Sequence, residues 1–259
     1  MSLFEALADA LRADRPIALA TVIDGPPVGA KLLVEPGQPV IGTLGNADLD
    51  RVVARDALAE LGAGLTSTRH YGEHGEAREG AVSVFIESFA ASARMIIFGA
   101  VDFTAALARV AKVLGYHVTV CDAREVFATP ARFPMADVVV NDWPDRHLAT
   151  VEPLGPRDAV CVLTHDAKFD VPAIVAALAT DVGYLGAMGS RRTHTARLAR
   201  LNEAGVDAAS LARVMAPIGL DIGSRTPEET AVAICAEIIA LRTGRTGAPS
   251  LRDGAGAIH

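Results

Sequence analysis

Glycines, a serine and two adjacent arginines stand together in Gly186-Ala187-Met188-Gly189-Ser190-Arg191-Arg192, where a strand-like run gives way to a helix-like one. Glycine lets the backbone approach a ligand closely, and the first N–H groups of a helix have no partner within it. Such a turn therefore presents donors at the positive end of a helix dipole. Ser190 suits the N-cap, and Arg191 and Arg192 add compact positive charge. These residue types support anion binding. A second glycine turn, Pro217–Arg225 (PIGLDIGSR), precedes the last helix and offers Asp221 and Arg225 as polar candidates closing the same pocket. Together the two turns point to a phosphorylated ligand.

A third turn, Gly99-Ala100-Val101-Asp102, follows the strand-like RMIIF. A dinucleotide fingerprint places G-x-G-x-x-G between a strand and a helix, with an acidic residue about twenty positions on to take ribose hydroxyls. Gly99 and Asp122 fit that topology. Val101 stands where a glycine admits the pyrophosphate, however, and Asp102 adds negative charge beside it, so the fingerprint is altered. Arg124 is placed either to accept a 2′-phosphate or to pair with Asp122. Thr164-His165-Asp166 closes a later strand-like run at the edge where open α/β sheets bind ligands. His165 and Asp166 are therefore further cofactor-binding candidates.

The elements that must position these residues read as α/β. The first ninety residues suggest a smaller α+β domain: a helix on Leu3, Phe4, Leu7 and Leu11, strands at IALATVI, KLLVE and PVIGTL, a helix over 49–61 and a strand at Ala81–Phe89. From Arg94 the pattern becomes strand, turn, helix, strand, as parallel βαβ units require. RMIIFGA, YHVTVCD, ADVVVND, DAVCVLTHD, Val182–Leu185 and Arg213–Ala216 are the strands. Helices follow at Leu107–Leu114, at Pro172–Ala179, from Ser190, and from Thr226, whose capping box with Glu229 encloses Pro227. The expected division is 1–90, a Rossmann-like 93–243 and a glycine-rich tail at 244–259.

A net charge of −7 argues against a sequence-independent nucleic-acid or anionic-membrane surface. No long apolar run and no signal-peptide pattern occur, which leads to a cytoplasmic expectation. Cys121, Cys161 and Cys235 each lie in apolar runs without C-x-x-C spacing and read as buried thiols. His70, Glu73, His74 and Glu76 crowd one stretch, but Gly72 and Gly75 break helical spacing, so it reads as a solvated loop and not a metal site. Four residues after Tyr71, Tyr116 and Tyr184 stand Gly75, Val120 and Met188, so no Y-x-x-x-K pair supports a dehydrogenase. No catalytic residue is assigned.

Three runs, LTHDAKFDVPAIVAAL, YLGAMGSRRTHTARLARL and APIGLDIGSRTPEETAVAICAEIIALRTG, resemble the Rossmann domain of the XdhC/CoxI family of xanthine dehydrogenase accessory proteins. The N-terminal ATVIDGPPVGAKLLVEPGQPVIGTLG is similar to the family's other domain. The resemblance implies a chaperone that binds molybdenum cofactor and helps its sulfuration or insertion into a molybdenum hydroxylase of the xanthine or carbon-monoxide dehydrogenase type. That hydroxylase, a cysteine desulfurase and a second copy in a homodimer are the partners it implies. NAD(P) is the alternative ligand, for an oxidoreductase or a non-catalytic nucleotide sensor. The family's usual GGGC and CGG segments are here Gly45-Asn46-Ala47-Asp48 and Gly75–Val82, without cysteine, and its GAGH turn is GAVD at Gly99–Asp102.

Overall fold

A computed structural model describes residues 2–76 and 80–245. The chain divides between Ala91 and Ser92 into two compact units.

The first unit runs α1 (Leu3–Arg12), β1 (Ile17–Asp24), β2 (Lys31–Val34), β3 (Ile41–Thr43), α2 (Ala47–Ala63), β4 (Ser67–Tyr71) and β5 (Val82–Phe89). Its sheet, ordered β3-β2-β1-β5-β4, is antiparallel throughout. The apolar run in β1 follows from its place between two helices. Ala18, Ala20 and Val22 join the core beneath α2, whereas Ile17 and Leu19 join Ala6 and Ala10 of α1 on the other face. Ser2 and Glu5 cap α1 reciprocally. The stretch read as a loop around His70 is in part strand β4. Every residue from Ser67 to Tyr71 pairs with β5, and His70 Nδ1 lies 3.0 Å from Ser83 Oγ. Its exposed edge position removed the buried alternation by which strands are recognised.

The second unit runs β6 (Arg94–Phe98), α3 (Asp102–Val113), β7 (His117–Cys121), β8 (Val138–Val140), α4 (Pro144–Thr150), β9 (Ala159–Val162), α5 (Ala167–Leu178), β10 (Tyr184–Ala187), α6 (Arg191–Glu203), α7 (Ala208–Leu211), β11 (Val214–Met215) and α8 (Pro227–Arg242). Its six strands, ordered β11-β10-β9-β6-β7-β8, are all parallel. The molecule is thus α/β, with a parallel Rossmann-type sheet in one unit and an antiparallel sheet in the other.

Alternation divides the second unit's interior into two layers. Met95 and Ile97 of β6 face a core shared with α3 and α8, and Ile96 and Phe98 face one shared with α5 and α6. The chain steps outward from β6 to β8, then returns to β9 on the other side of β6. The topological switch therefore lies between β6 and β9, where open sheets form their ligand crevice.

Three boundaries differ most from expectation, the first being α3, which begins at Asp102, five residues before Leu107. Helix α5 begins at Ala167, five residues before Pro172, because Asp166 caps it by accepting the Lys168 N–H at 3.1 Å. Pro172 is tolerated inside the helix despite its missing donor. Strand β10 extends to Ala187 and so takes in Gly186, which the sequence placed in a turn. Helices α4 and α7 are short elements that periodicity did not show. Of the expected tail, residues 246–259 lie outside the described residues. Among the described residues, no helix is long and apolar enough to cross a membrane.

Candidate functional site

The carboxyl edge of the parallel sheet gathers most of the candidate residues. Gly99, directly after β6, adopts φ +109°, and a Cβ there would stand 2.8 Å from Thr164 Cγ2 and 3.0 Å from Thr164 N. The β6–α3 turn therefore presses against the chain leaving β9, and only glycine fits. Thr104 reaches back from α3 to donate its hydroxyl to Gly99 O. Val101, the N-cap of α3, has no side-chain acceptor. Its side chain packs on the core shared with α3 and α8.

Asp122, immediately after β7, is buried, with a relative exposure of 3%. Its Oδ2 accepts the Ala100 N–H at 2.8 Å and Arg124 Nη2 at 2.7 Å. Its Oδ1 accepts Arg124 Nε and the Arg124 N–H, both at 2.9 Å. Burial disfavours the charged carboxylate, but the hydrogen bonds from Arg124 and Ala100 outweigh it and hold the group below the usual aspartate range. A carboxylate enclosed by four donors braces the turn and leaves little capacity for sugar hydroxyls. Of the two alternatives for Arg124, the structure shows the pairing with Asp122.

From the switch point a polar chain continues under the sheet edge. Thr164 donates its hydroxyl to Asp170 Oδ1 of α5. Asp170 Oδ2 accepts Arg197 Nη2 of α6 at 2.9 Å, and the same Nη2 donates to Met188 O at 2.7 Å. Asp170 and Arg197 are 4% and 2% exposed, so this is a buried ion pair. It ties the start of α5 to the β10–α6 turn. Arg197 Nε, Arg197 Nη1 and His194 Nδ1 are enclosed without a protein partner.

The β10–α6 turn is built differently. Gly189 adopts φ +143°, and a Cβ on it would meet Thr193 Cγ2 at 3.1 Å. Ser190 caps α6 by accepting the Thr193 N–H at 3.1 Å. Arg191 and Arg192 follow at the first two helical positions. Both are exposed, and neither makes an ion pair among the described residues. Cations oppose the helix dipole there, each at roughly 0.3–1 kcal/mol. The other helices longer than four residues carry an acidic residue in the first turn. Among the described residues, α6 is the helix of more than four residues whose first turn carries cations and no carboxylate.

The remaining candidates separate from these two turns. Gly186 lies inside β10, and a Cβ there would meet Ile218 Cδ1 at 2.5 Å and Tyr184 Oη at 2.7 Å, so it serves packing. Asp166 is occupied in capping α5 and in an ion pair with Lys168 at 3.4 Å. His165 is exposed beside it. Asp221 is exposed in a segment held to α8 by the Leu220 N–H to Ala233 O, and it joins neither turn.

Sequence reasoning missed an aromatic and cationic ladder beyond Asp122. The Arg124 guanidinium lies 4.7 Å from the Phe127 ring centroid and 5.8 Å from that of Phe169. Arg132 sits 5.5 Å from Phe127 and donates to Ala100 O of the β6–α3 turn at 3.3 Å. Trp143, the N-cap of α4, packs on Phe169 with centroids 5.0 Å apart. Among the described residues no group of three or more His, Cys, Asp or Glu side chains is arranged to hold a metal ion.

Residues 95–238 match the XdhC Rossmann domain, and residues 10–72 match the XdhC and CoxI family. The uncharacterized protein YqeB of Escherichia coli K12 is 28% identical over 258 residues, covering 95% of this chain and 47% of that protein. A probable xanthine dehydrogenase subunit of Bacillus subtilis 168 is 34% identical over 160 residues, covering 62% and 46%. The molybdenum cofactor insertion chaperone PaoD of Escherichia coli K12 is 37% identical over 84 residues, covering 32% and 26%. The chain thus spans about half the length, or less, of these relatives. A crystal structure of a xanthine dehydrogenase from Bacillus halodurans shares the fold, with a TM-score of 0.55 at 21% identity over 97% of this chain and 98% of that one. With its Rossmann match spanning more than half of its length, the chain belongs to the XdhC and CoxI family.

Proposed function

We propose that this protein is an accessory factor that binds molybdenum cofactor and assists its insertion into a molybdenum hydroxylase. The observation carrying the proposal is the β10–α6 turn, where Gly189, Ser190, Arg191 and Arg192 form a cationic helix start that has no ion-pair partner among the described residues. A phosphate group fits that turn by charge and by its backbone donors. Family membership and the similarity to an insertion chaperone support molybdenum cofactor as its carrier.

The residues present fit the cofactor's phosphate but not its sulfur chemistry. Cys121 and Cys161 are fully buried and Cys235 nearly so. Burial pushes the Cys121 thiol up to about 12 and that of Cys235 up to about 11. These are the chain's three cysteines, and none supplies an accessible thiolate. The protein accordingly holds and delivers the cofactor, while sulfuration falls to another protein such as a cysteine desulfurase. NAD(P) is disfavoured, because Asp122 is already saturated by Ala100 and Arg124.

The test is a side-by-side anaerobic titration of the full chain with molybdenum cofactor and with NAD(P)H. Saturable binding of the molybdenum cofactor is expected, at least about tenfold tighter than that of NAD(P)H. Saturable binding of NAD(P)H alone would overturn the proposal in favour of an oxidoreductase or nucleotide sensor, and binding of neither would reduce the unit to a scaffold.

A further inference from the structure

We propose that the ladder beyond β7 and β8 binds a planar heteroaromatic ring of the phosphorylated ligand, and that the ligand is read by ring and phosphate without its sugar hydroxyls. The proposal rests on the reading that this sheet edge takes a phosphorylated ligand, and it names the part of that ligand the turns do not explain.

Three observations carry it. First, the ladder's aromatic and cationic side chains reach solvent: Phe127 is 40% exposed, Trp143 is 37% exposed and the Arg124 side chain is 41% exposed. Planar rings stack on such surfaces, gaining about 1–3 kcal/mol each where nucleobases have been measured. Second, the ladder is pre-organised. Arg124 is fixed by its bonds to Asp122, Arg132 anchors the loop to Ala100 O, and the buried Phe169 supports both Arg124 and Trp143. A platform already ordered loses little entropy on binding. Third, the carboxylate that would read a vicinal diol is enclosed and fully engaged. Specificity on this side of the switch point is left to the ring.

Between the β10–α6 turn and β7 lie three strand spacings, about 14 Å, so ring and phosphate contacts can be probed separately. Trp143 is the single tryptophan of the chain, and its fluorescence reports on the ladder directly. The experiment titrates the full chain with AMP, 2′,3′-dideoxy-AMP and ribose 5-phosphate while following Trp143 emission. Inorganic pyrophosphate is titrated calorimetrically in parallel. AMP and its dideoxy analogue are expected to quench Trp143 with dissociation constants within about threefold of each other, and ribose 5-phosphate to leave the emission unchanged. Phe127→Ala is expected to weaken AMP about tenfold at an unchanged melting temperature. The proposal is overturned if the dideoxy analogue binds tenfold or more weakly than AMP, if ribose 5-phosphate matches AMP, or if Phe127→Ala has no effect. Heat from pyrophosphate without any response of Trp143 to AMP would remove the ring site and leave the anion site standing. Silence in both arms would remove both.

Discussion

The two glycine turns at the carboxyl edge of the parallel sheet share a plan, strand then glycine then helix, yet they differ in where their polar groups point. At the β6–α3 turn Asp122 faces inward and is satisfied by Ala100 and Arg124, and Gly99 is wedged against Thr164. At the β10–α6 turn two arginines face outward and oppose the dipole of their own helix. The first arrangement stabilises the fold. The second costs stability, which the proposed anion binding at that turn would offset. A glycine-rich turn in a Rossmann unit is therefore a scaffold or a site according to whether its charges are consumed internally.

The largest effect should come from the chain of bonds joining the turns. Arg197→Met strands Asp170 as a buried carboxylate without its counter-charge, at a cost of about 3–5 kcal/mol. Adding Asp170→Asn should recover most of that loss in urea denaturation. If the single and double variants are equally unstable, the ion pair is not what links α5 to α6.

Acid should act chiefly on the first turn. Asp122 has its folded pKa depressed, so the stability it contributes is present at neutral pH and is lost as pH falls below about 4, through the folded value. Urea midpoints measured from pH 6 to pH 3 should fall less steeply for Asp122→Asn than for the parent chain. Parallel curves would mean that the Asp122 brace carries no linkage.

How much of this was legible in the sequence depended on whether a residue's neighbours in the chain are also its neighbours in space. The start of α8 is marked by Thr226, Pro227 and Glu229, and the structure has both bonds of that capping box, at 3.2 and 3.1 Å. The parallel order was readable from the repeating βαβ pattern. Strand β4 was not, because an exposed edge strand lacks a buried face, and Gly186 was misplaced because strand ends blur. The buried pair was missed although a signal existed. Asp170 lies one turn before Ile174, and Arg197 one turn before Leu201, each on the apolar stripe of its helix. Opposite charges on the core stripes of adjacent helices mark a buried ion pair. The ladder offered no such sign, since Phe127 and Trp143 come from two connections and Phe169 from the first turn of α5, and only the folded sheet brings them together.

The anion site itself should show the smallest stability effect and a large binding effect, and it is the most direct test of the central claim. Pyrophosphate affinity is measured by calorimetry on the parent chain and on Arg191→Ala/Arg192→Ala, with melting followed in parallel. The double variant should melt at or slightly above the parent temperature, since removing cations from a helix start relieves an unfavourable dipole interaction. Its dissociation constant should rise about tenfold or more, as expected for losing two charge-assisted contacts. Unchanged affinity would show that the β10–α6 turn is not where the phosphate binds.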